Sequence, residues 1–415
     1  MNVAVIGGGG REYALAKKLA QSTRSDIVYA IPGNDGMKEF AVTVPELSET
    51  DCRGIGDFCL DNDIQWVVIG PEASLEAGLA DHLEELGVDV FGPKKHEAKI
   101  ECSKAFAKDI MKRYGIPTAS HRMFTDQDSA RDYINETGAP VVLKKDGLAA
   151  GKGVIVAMDM AEALAGIEIL KPEQDAPVVI EEFLEGEEFS LMVLVNGPYT
   201  HSFEIMAQDH KRAYDGDTGP NTGGMGVYAP VHHIDESLRQ EAVDKIVEPM
   251  AQAMVDEGLD YFGVLYLGAI VTRDGVKVIE FNARFGDPEA QVLLDLMEDD
   301  FIDVLEKVKA KEPFSLNFRD GYKAGVMLAS GGYPAAYEKG CEVDFSTVRA
   351  DCAVSGLKQS GDAWRTDGGR VLLVTGEGRT IEEAVDAAYS NVAQITFTEG
   401  DLFYRQDIGG RALKG

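Results

Sequence analysis

Basic residues are scarce. Lysine and arginine number 40 against 71 aspartates and glutamates in 415 residues, a formal charge of −31. A protein that coats nucleic acid needs a basic patch or stripe, so that class is excluded. Small anionic substrates are not, provided the few cations gather in one place. Long apolar runs are also missing. No stretch of about 18 apolar residues occurs, so no membrane-spanning helix is expected. The five cysteines (Cys52, Cys59, Cys102, Cys341, Cys352) are odd in number and contain no CxxC pair. They read as free thiols of a reducing compartment, neither a disulfide framework nor a zinc site. Of seven histidines only His232 and His233 are adjacent, and there is no HExxH. No transition-metal site is expected. The opening, Met1 to Gly10, has neither a basic n-region nor a small-residue cleavage site, which leads us to expect a cytoplasmic protein without a targeting segment.

Glycine is what the chain has in excess, 45 residues, about 11% against a usual ~7%. Glycine costs backbone entropy unless a turn or a close ligand approach uses it. At ~150 residues per domain the length implies two to four domains. Residues Asn2–Ile6, Ile27–Ile31, Trp66–Ile69 and Val88–Phe91 read as strands. Helical patterns lie at Arg11–Ala20, Leu75–Leu86 and His96–Tyr114. This βαβ series implies a parallel sheet with binding loops at the strand carboxyl ends. A second, α+β unit begins with strands at Val141–Lys145 and Val154–Ala157 around the loop Gly147–Gly153. A helix at Ala161–Leu170 and strands at Val178–Leu184 and Phe189–Val195 continue it. Residues Gln208–Pro230 hold seven glycines and prolines and read as a long structureless loop, a feature usually functional. Helix Glu236–Glu257, strands Val264–Val271 and Val276–Ala283, and a helix after Pro288 follow. From about Tyr322 a strand-rich pattern restarts, with a helix at Ile381–Ala393, as a separate C-terminal domain.

Five segments carry candidate chemistry. In Val276–Arg284 the period-two alternation of a strand places Glu280, Asn282 and Arg284 on one face. A carboxylate and an amide suit Mg²⁺, a hard cation that takes oxygen ligands, and the planar fork of Arg284 suits a carboxylate or acyl phosphate. A solvated edge strand fits those residues equally well. Lys144 followed by Gly147-Leu148-Ala149-Ala150-Gly151-Lys152-Gly153 can hold phosphates; it lacks the P-loop spacing, and an ordinary hairpin turn also suits it. Glu181–Glu188, an apolar strand ending in acids, can read an adenine and a ribose, or be a charged hairpin. Asp209-His210-Lys211-Arg212 and Asp215–Met225 bring three cations, if His210 is counted as protonated, into a segment so rich in glycine that packing against a ligand is the better reading. Gly7–Gly10 with Arg11 allows a phosphate at a helix N-terminus, or a tight βα turn.

Together these segments resemble the ATP-grasp superfamily and, within it, the phosphoribosylamine–glycine ligase family. The similarity runs through the whole chain in order. It includes Gly8–Glu12 with Ala14-Leu15-Ala16, Pro32-Gly33-Asn34, Gly70-Pro71-Glu72-Ala73, Cys102–Phe106, Asp146–Gly153, Glu181–Glu188, Ala329–Pro334 and Asp407–Leu413. The strings DHKRAYDGDTGPNTGGMG (209–226) and RFGDPEAQ (284–291) are specific to that family; other ATP-grasp enzymes share only the Lys/Glu/Asn layout. The chain departs from the family at Tyr13, where histidine is usual, at Gly410, where an aromatic is common, and at Val354–Leu357, where histidine–x–glycine–threonine is usual.

The resemblance implies an α/β and α+β multidomain fold: an N-terminal Rossmann-like parallel-sheet domain (1–101), a central ATP-grasp domain (102–318) with a mobile lid at about 119–188, and a small C-terminal α+β domain (322–415). It implies ATP-dependent joining of glycine to 5-phosphoribosylamine through glycyl phosphate, in purine biosynthesis. Lys104, Lys144, Gly147, Gly151, Lys152 and Gly153 would meet the ATP phosphates; Glu181 and Leu184 the adenine; Glu188 the ribose. Glu280 and Asn282 would hold Mg²⁺ or Mn²⁺. Arg284, Lys211 and Asp209 would carry the chemistry, and Gly9, Arg11, Glu72, Asp217, Asn221 and Gly224 would bind substrate together with Arg284. The partners implied are ATP, glycine and phosphoribosylamine, with neither nucleic acid nor membrane. The protein would be a monomer making transient contact with the amidotransferase that supplies phosphoribosylamine. Two other readings make different demands. A nucleotide-binding oxidoreductase, read from the N-terminal glycines, leaves Glu280, Asn282 and Arg284 unexplained. A non-catalytic relative would have lost Glu280 or Asn282, and both are present.

Overall fold

The computed structural model describes residues 1–147, 153–174 and 176–414. The first unit is a five-stranded parallel sheet, in spatial order Val42–Thr43, Ile27–Pro32, Asn2–Gly7, Ile64–Ile69, Asp89–Phe91. Its central strands are buried on both faces, which is why they read as continuous apolar runs. Strand order reverses between Asn2–Gly7 and Ile64–Ile69, and ligands of open parallel sheets bind at the carboxyl side of such a switch point. The glycine turn before helix Gly10–Ala20 and the Gly70-Pro71-Glu72 turn both lie there.

Two expected helices are broken. Leu75–Leu86 divides into Glu72–Ala77 and Leu79–Glu85 at Gly78, whose φ of +85° few other residues adopt. His96–Tyr114 divides into Lys99–Cys102 and Lys104–Arg113. Ser103 is extended and caps the second helix through Phe106 N–H at 3.1 Å. Asp146, from a distant strand end, accepts from Ala105 N–H at 3.1 Å and from the Ser103 hydroxyl. Periodicity cannot see that break, because the carboxylate partner comes from 41 residues away in sequence.

Strands His121–Phe124, Val178–Glu182, Val141–Lys145 and Val154–Ala157 form an antiparallel sheet covered by helices Gln127–Thr137 and Met160–Leu170. It has a small core of its own, including Phe124, Ile134, Leu143, Ile167 and Ile180, separate from the core that runs through the rest of the molecule. Burying each larger side chain there contributes about 1.5–3 kcal/mol.

The body behind it is a sheet of Tyr199–Ser202, Glu187–Asn196, Phe262–Thr272 and Gly275–Asn282. The Gln208–Pro230 segment, expected to be structureless, holds four short strands: Gln208–Asp209, Arg212–Tyr214, Thr218–Asn221 and Gly226–Ala229. The middle two make a hairpin. The outer two join Tyr322–Ser330, Arg370–Gly378 and Cys352–Val354 in one antiparallel sheet. Glycine and proline hid these strands, and the last of them, Gly226–Ala229, is anchored by a partner about 100 residues downstream.

Candidate active site

The three units meet around a cleft of about 860 Å³. The wall that carries Glu280 and Asn282 depends on one irregularity. In Gly275–Asn282 the register slips so that Gly268 opposes Glu280 while Ala269 opposes Val278, leaving Ile279 as a β-bulge. Val276 and Val278 are buried before the bulge, Phe281 and Ala283 after it. Strict alternation from Val276 would have buried Glu280 and Asn282 in the core; the extra residue turns both into the cleft. The bulged Ile279 carbonyl is itself used, accepting from Lys144 Nζ at 3.0 Å.

Lys144 and Lys108 share one carboxylate. Glu181 Oε2 lies 3.0 Å from Lys144 Nζ and 3.2 Å from Lys108 Nζ, all three side chains buried. Burial lowers the Lys108 ammonium to about 8, although Glu181 opposes the shift. Lys104 Nζ donates to the Gly147 carbonyl at 3.0 Å. Burial lowers its pKa too, against Glu280 and Asp146. Gly153, Leu184 and Glu188 also line the cleft, while Gly151 and Lys152 lie outside the described residues. The sequence reading missed Lys108. Its one signal was a second lysine four residues after Lys104, hence on the same helix face.

Beside Glu280 stands Lys211, its Nζ 3.2 Å from Glu280 Oε1 and 3.7 Å from Glu188 Oε2. Burial works against both charges of the first pair. Even so, Lys211 and Lys144 hold the Glu280 carboxyl at about 2, and Glu280 leads the groups that raise Lys211 well above the ordinary lysine range. Asp209 behaves oppositely. Burial, reinforced by Glu289, raises its carboxyl well above the usual range, and its Oδ1 has no hydrogen-bond partner. Gly224, at φ +119°, leaves room for that carboxylate: a Cβ there would stand 2.6 Å from Asp209 Oδ1. Gly224 does not itself line the cleft.

Arg284 Nη2 pairs with Glu101 Oε1 at 2.8 Å, and its Nε lies 3.6 Å from Glu72 Oε2 without a hydrogen bond. Arg11, also buried, pairs with Glu12 at 2.5 Å and reaches the Phe285 carbonyl. Gly9 stays behind the lining; its N–H donates to Glu12 Oε2 at 2.8 Å. The C-terminal unit reaches this corner as well. Ser355 Oγ accepts from Gly10 N–H at 3.2 Å, and Asn34 Nδ2 donates to both Gly8 and Val354 carbonyls. Arg370, which the sequence reading missed, pairs with Asp287 at 3.2 Å and donates to the Gly223 carbonyl at 2.8 Å. Nothing in its own neighbourhood marked it, because its partners come from elsewhere in the chain. Asn221 accepts weakly from Arg212, and Asp217 is held by Arg405 and Arg411.

His210 is not the cation it was counted as. It is buried, its Nε2 accepts from Gly409 N–H at 3.2 Å, and burial, with Arg405 second, lowers it to about 4. Between the unfolded value of ~6.5 and about 4, only the unfolded chain takes up this proton. The stabilisation from burying a neutral ring is therefore complete above pH ~6.5 and falls by about 3 kcal/mol as pH drops to 4. Glutamine cannot titrate. The Tm of His210→Gln is therefore expected to gain on that of the wild type between pH 7 and 5, and parallel curves would count against a neutral His210.

Comparison with known proteins identifies the family. Three family profiles cover nearly the whole chain: the N domain (residues 1–101), the ATP-grasp (A) domain (102–290) and the C domain (323–411) of phosphoribosylglycinamide synthetase. The chain belongs to this family. Phosphoribosylamine–glycine ligase of Listeria monocytogenes is 48% identical over 423 residues, covering 99% of this chain and 100% of the relative. That of Streptococcus pneumoniae is 46% identical, with both chains fully covered. Among solved structures, phosphoribosylamine–glycine ligase of Thermotoga maritima is 33% identical with a TM-score of 0.84, over 98% of this chain and 100% of that one. A biotin carboxylase domain from Hydrogenobacter thermophilus shares the fold at 17% identity and a TM-score of 0.72, over 97% of this chain and 91% of that one. The family's ATP-grasp architecture, with a parallel-sheet domain before it and a small domain after it, is the one described above.

Proposed function

We propose that this cleft joins glycine to 5-phosphoribosylamine, with the residues that line it in the roles below. The reaction is an ADP-forming carbon–nitrogen ligation of purine biosynthesis. One observation carries the assignment of roles: Lys104, Lys144, Lys211, Glu280, Asn282 and Arg284, far apart in sequence, face one cavity.

Lys104 and Lys144 take the ATP phosphates, and Glu181, with the backbone to Leu184, takes the adenine. Lys108 shares Glu181 with Lys144 and so fixes its orientation. Glu188 takes the ribose. Glu280 and Asn282 offer only oxygen donors, and Glu280 stays ionised at neutral pH, so the pair fits Mg²⁺ or Mn²⁺. A divalent cation bound there would neutralise phosphate charge.

Glycine carboxylate attacks the γ-phosphorus, releasing ADP and leaving glycyl phosphate. The sugar amine then attacks the acyl carbon, and inorganic phosphate departs. Most of the catalysis is positioning and charge neutralisation. Lys211 faces the phosphoryl group in flight. Arg284, whose Nε has no hydrogen bond, receives the glycine carboxylate. Asp209, whose buried Oδ1 has no hydrogen-bond partner, accepts the proton that the amine loses. Gly9, Arg11 and Glu72, at the switch point of the parallel sheet, bind the phosphoribosyl part, and the hairpin bearing Asp217 and Asn221 closes that side, backed by Gly224. Residues 119–188, which include a separately cored unit, act as a lid that keeps the acyl phosphate from water.

The protein works as a cytoplasmic monomer that meets the phosphoribosylamine-forming amidotransferase transiently. Free cysteines and the absence, among the described residues, of any helix long and apolar enough to cross a membrane accord with that placement.

The test is ADP release with Mg·ATP, glycine and phosphoribosylamine made in situ, omitting each in turn. Dependence on all three, with one ADP per glycinamide ribonucleotide, is expected. ADP release that requires some other amine would overturn the substrate.

A further inference from the structure

The end of the chain grips the active-site hairpin. Gly409 N–H donates to His210 Nε2 at 3.2 Å, and Arg405 Nη1 donates to the Arg212 carbonyl at 3.2 Å. Those two contacts flank Lys211 in the chain. Further along the hairpin, Gln406 N–H meets Asp215 at 2.8 Å and Gly216 N–H meets Asp407 at 2.8 Å. Asp217 is held by Arg405 at 2.9 Å and Arg411 at 2.6 Å. The fork of Arg405 also binds Asp407 through two parallel bonds of 2.7 and 2.8 Å.

Arg405 is only 2% exposed, and none of these tail residues except Arg411 lines the cleft. A buried guanidinium is a poor device for stability alone, because its desolvation cancels most of the Coulombic gain. What it provides is directional: donors in a fixed plane, here aimed at one carbonyl and two carboxylates. The hairpin needs such bracing. Its strands span three and four residues, interrupted by an irregular register, and an isolated hairpin is marginal at best. Lys211 sits at its root, with Nζ 3.2 Å from Glu280.

We propose that the C-terminal tail is a strap that positions Lys211 for phosphoryl transfer, with Arg405 as the positioning residue; this rests on the reading of Lys211 given above. Displacing a charged group by about 1 Å at a reacting centre can cost about 100-fold in rate. The strap therefore acts on turnover rather than on nucleotide binding, since Lys104, Lys144 and Glu181 lie on other elements.

The experiment uses the full-length enzyme with Arg405→Lys, Arg411→Gln, Lys211→Gln and the Arg405→Lys/Lys211→Gln pair. For each variant, kcat, KM for ATP and glycine, ATP affinity by calorimetry, and Tm are measured. Arg405→Lys is expected to lower kcat about 10- to 100-fold with ATP affinity within about twofold of the wild type. On the Lys211→Gln background the same change should have no further effect on kcat, because the strap's target is gone. Should Arg405→Lys fail to fold, Arg411→Gln, at a partly exposed side chain, and its pair with Lys211→Gln carry the same comparison with a smaller fall, and wild-type kcat in Arg411→Gln would then overturn the strap. Wild-type kcat in Arg405→Lys would overturn the strap, as would a loss that adds fully to that of Lys211→Gln. Wild-type enzyme that releases no ADP with glycine and phosphoribosylamine would instead remove the reading of the whole site.

Discussion

Glu280→Gln is expected to lower kcat by about a thousandfold, the scale seen when one preorganised electrostatic group is removed from a reacting centre. The carboxylate is held ionised by Lys211 and Lys144, so at neutral pH the substitution deletes a full negative charge from the cleft wall. An amide oxygen remains, but a neutral ligand binds a divalent cation far less tightly than a carboxylate. The fold is expected to persist, because Gln has the same length and Lys211 keeps Glu188 within 3.7 Å. Two measurements check this: kcat as a function of Mg²⁺ concentration, and the far-UV circular dichroism and Tm of the variant. Wild-type turnover at ordinary Mg²⁺ would remove Glu280 from the metal site. Collapse of the fold would make it a structural charge instead.

Arg284→Lys separates the two substrates. The guanidinium is surrounded by Glu72, Glu101 and Glu280, which together raise its pKa against the cost of burial, so the charge is permanent. Lysine preserves that charge and satisfies Glu101, but its single ammonium lacks the rigid planar fork that presents two parallel N–H donors to a carboxylate. A hydrogen bond to a charged group contributes ~1.5–3 kcal/mol, so kcat/KM for glycine should fall roughly 10- to 100-fold. The residues proposed for ATP lie on other elements, so its KM should change little. Unchanged kinetics for glycine would take Arg284 out of the glycine site. Equal damage to ATP and glycine would mean that the substitution had moved Glu280 as well.

Both experiments probe a wall that the sequence showed in part. Glu280, Asn282 and Arg284 were legible as one face because the alternation that joins them is local. That this face opens on the cleft was not, since the parity from Val276 onward points the other way until Ile279 is counted as an extra residue. The Lys108–Glu181–Lys144 cluster and Arg370 have the same status. Each residue is ordinary in its own neighbourhood and becomes significant through a partner from another element.

Local physics by itself determined a good deal here. Continuous apolar runs between glycine turns gave the parallel sheet at the N-terminus. Two long, unmistakable strings at 209–226 and 284–291 carried the family resemblance. Tertiary structure decided the rest. It broke the helix at Ser103 with a carboxylate from Asp146, and it made strands of a glycine-rich segment by pairing it with Tyr322–Ser330. It kept His210 neutral under a tail 199 residues away, and it assembled scattered cationic and acidic groups into one cleft in a chain of net charge −31. In each case the deciding energy is a hydrogen bond or a charge pair in a desolvated place, and which groups are desolvated together is a property of the packed chain.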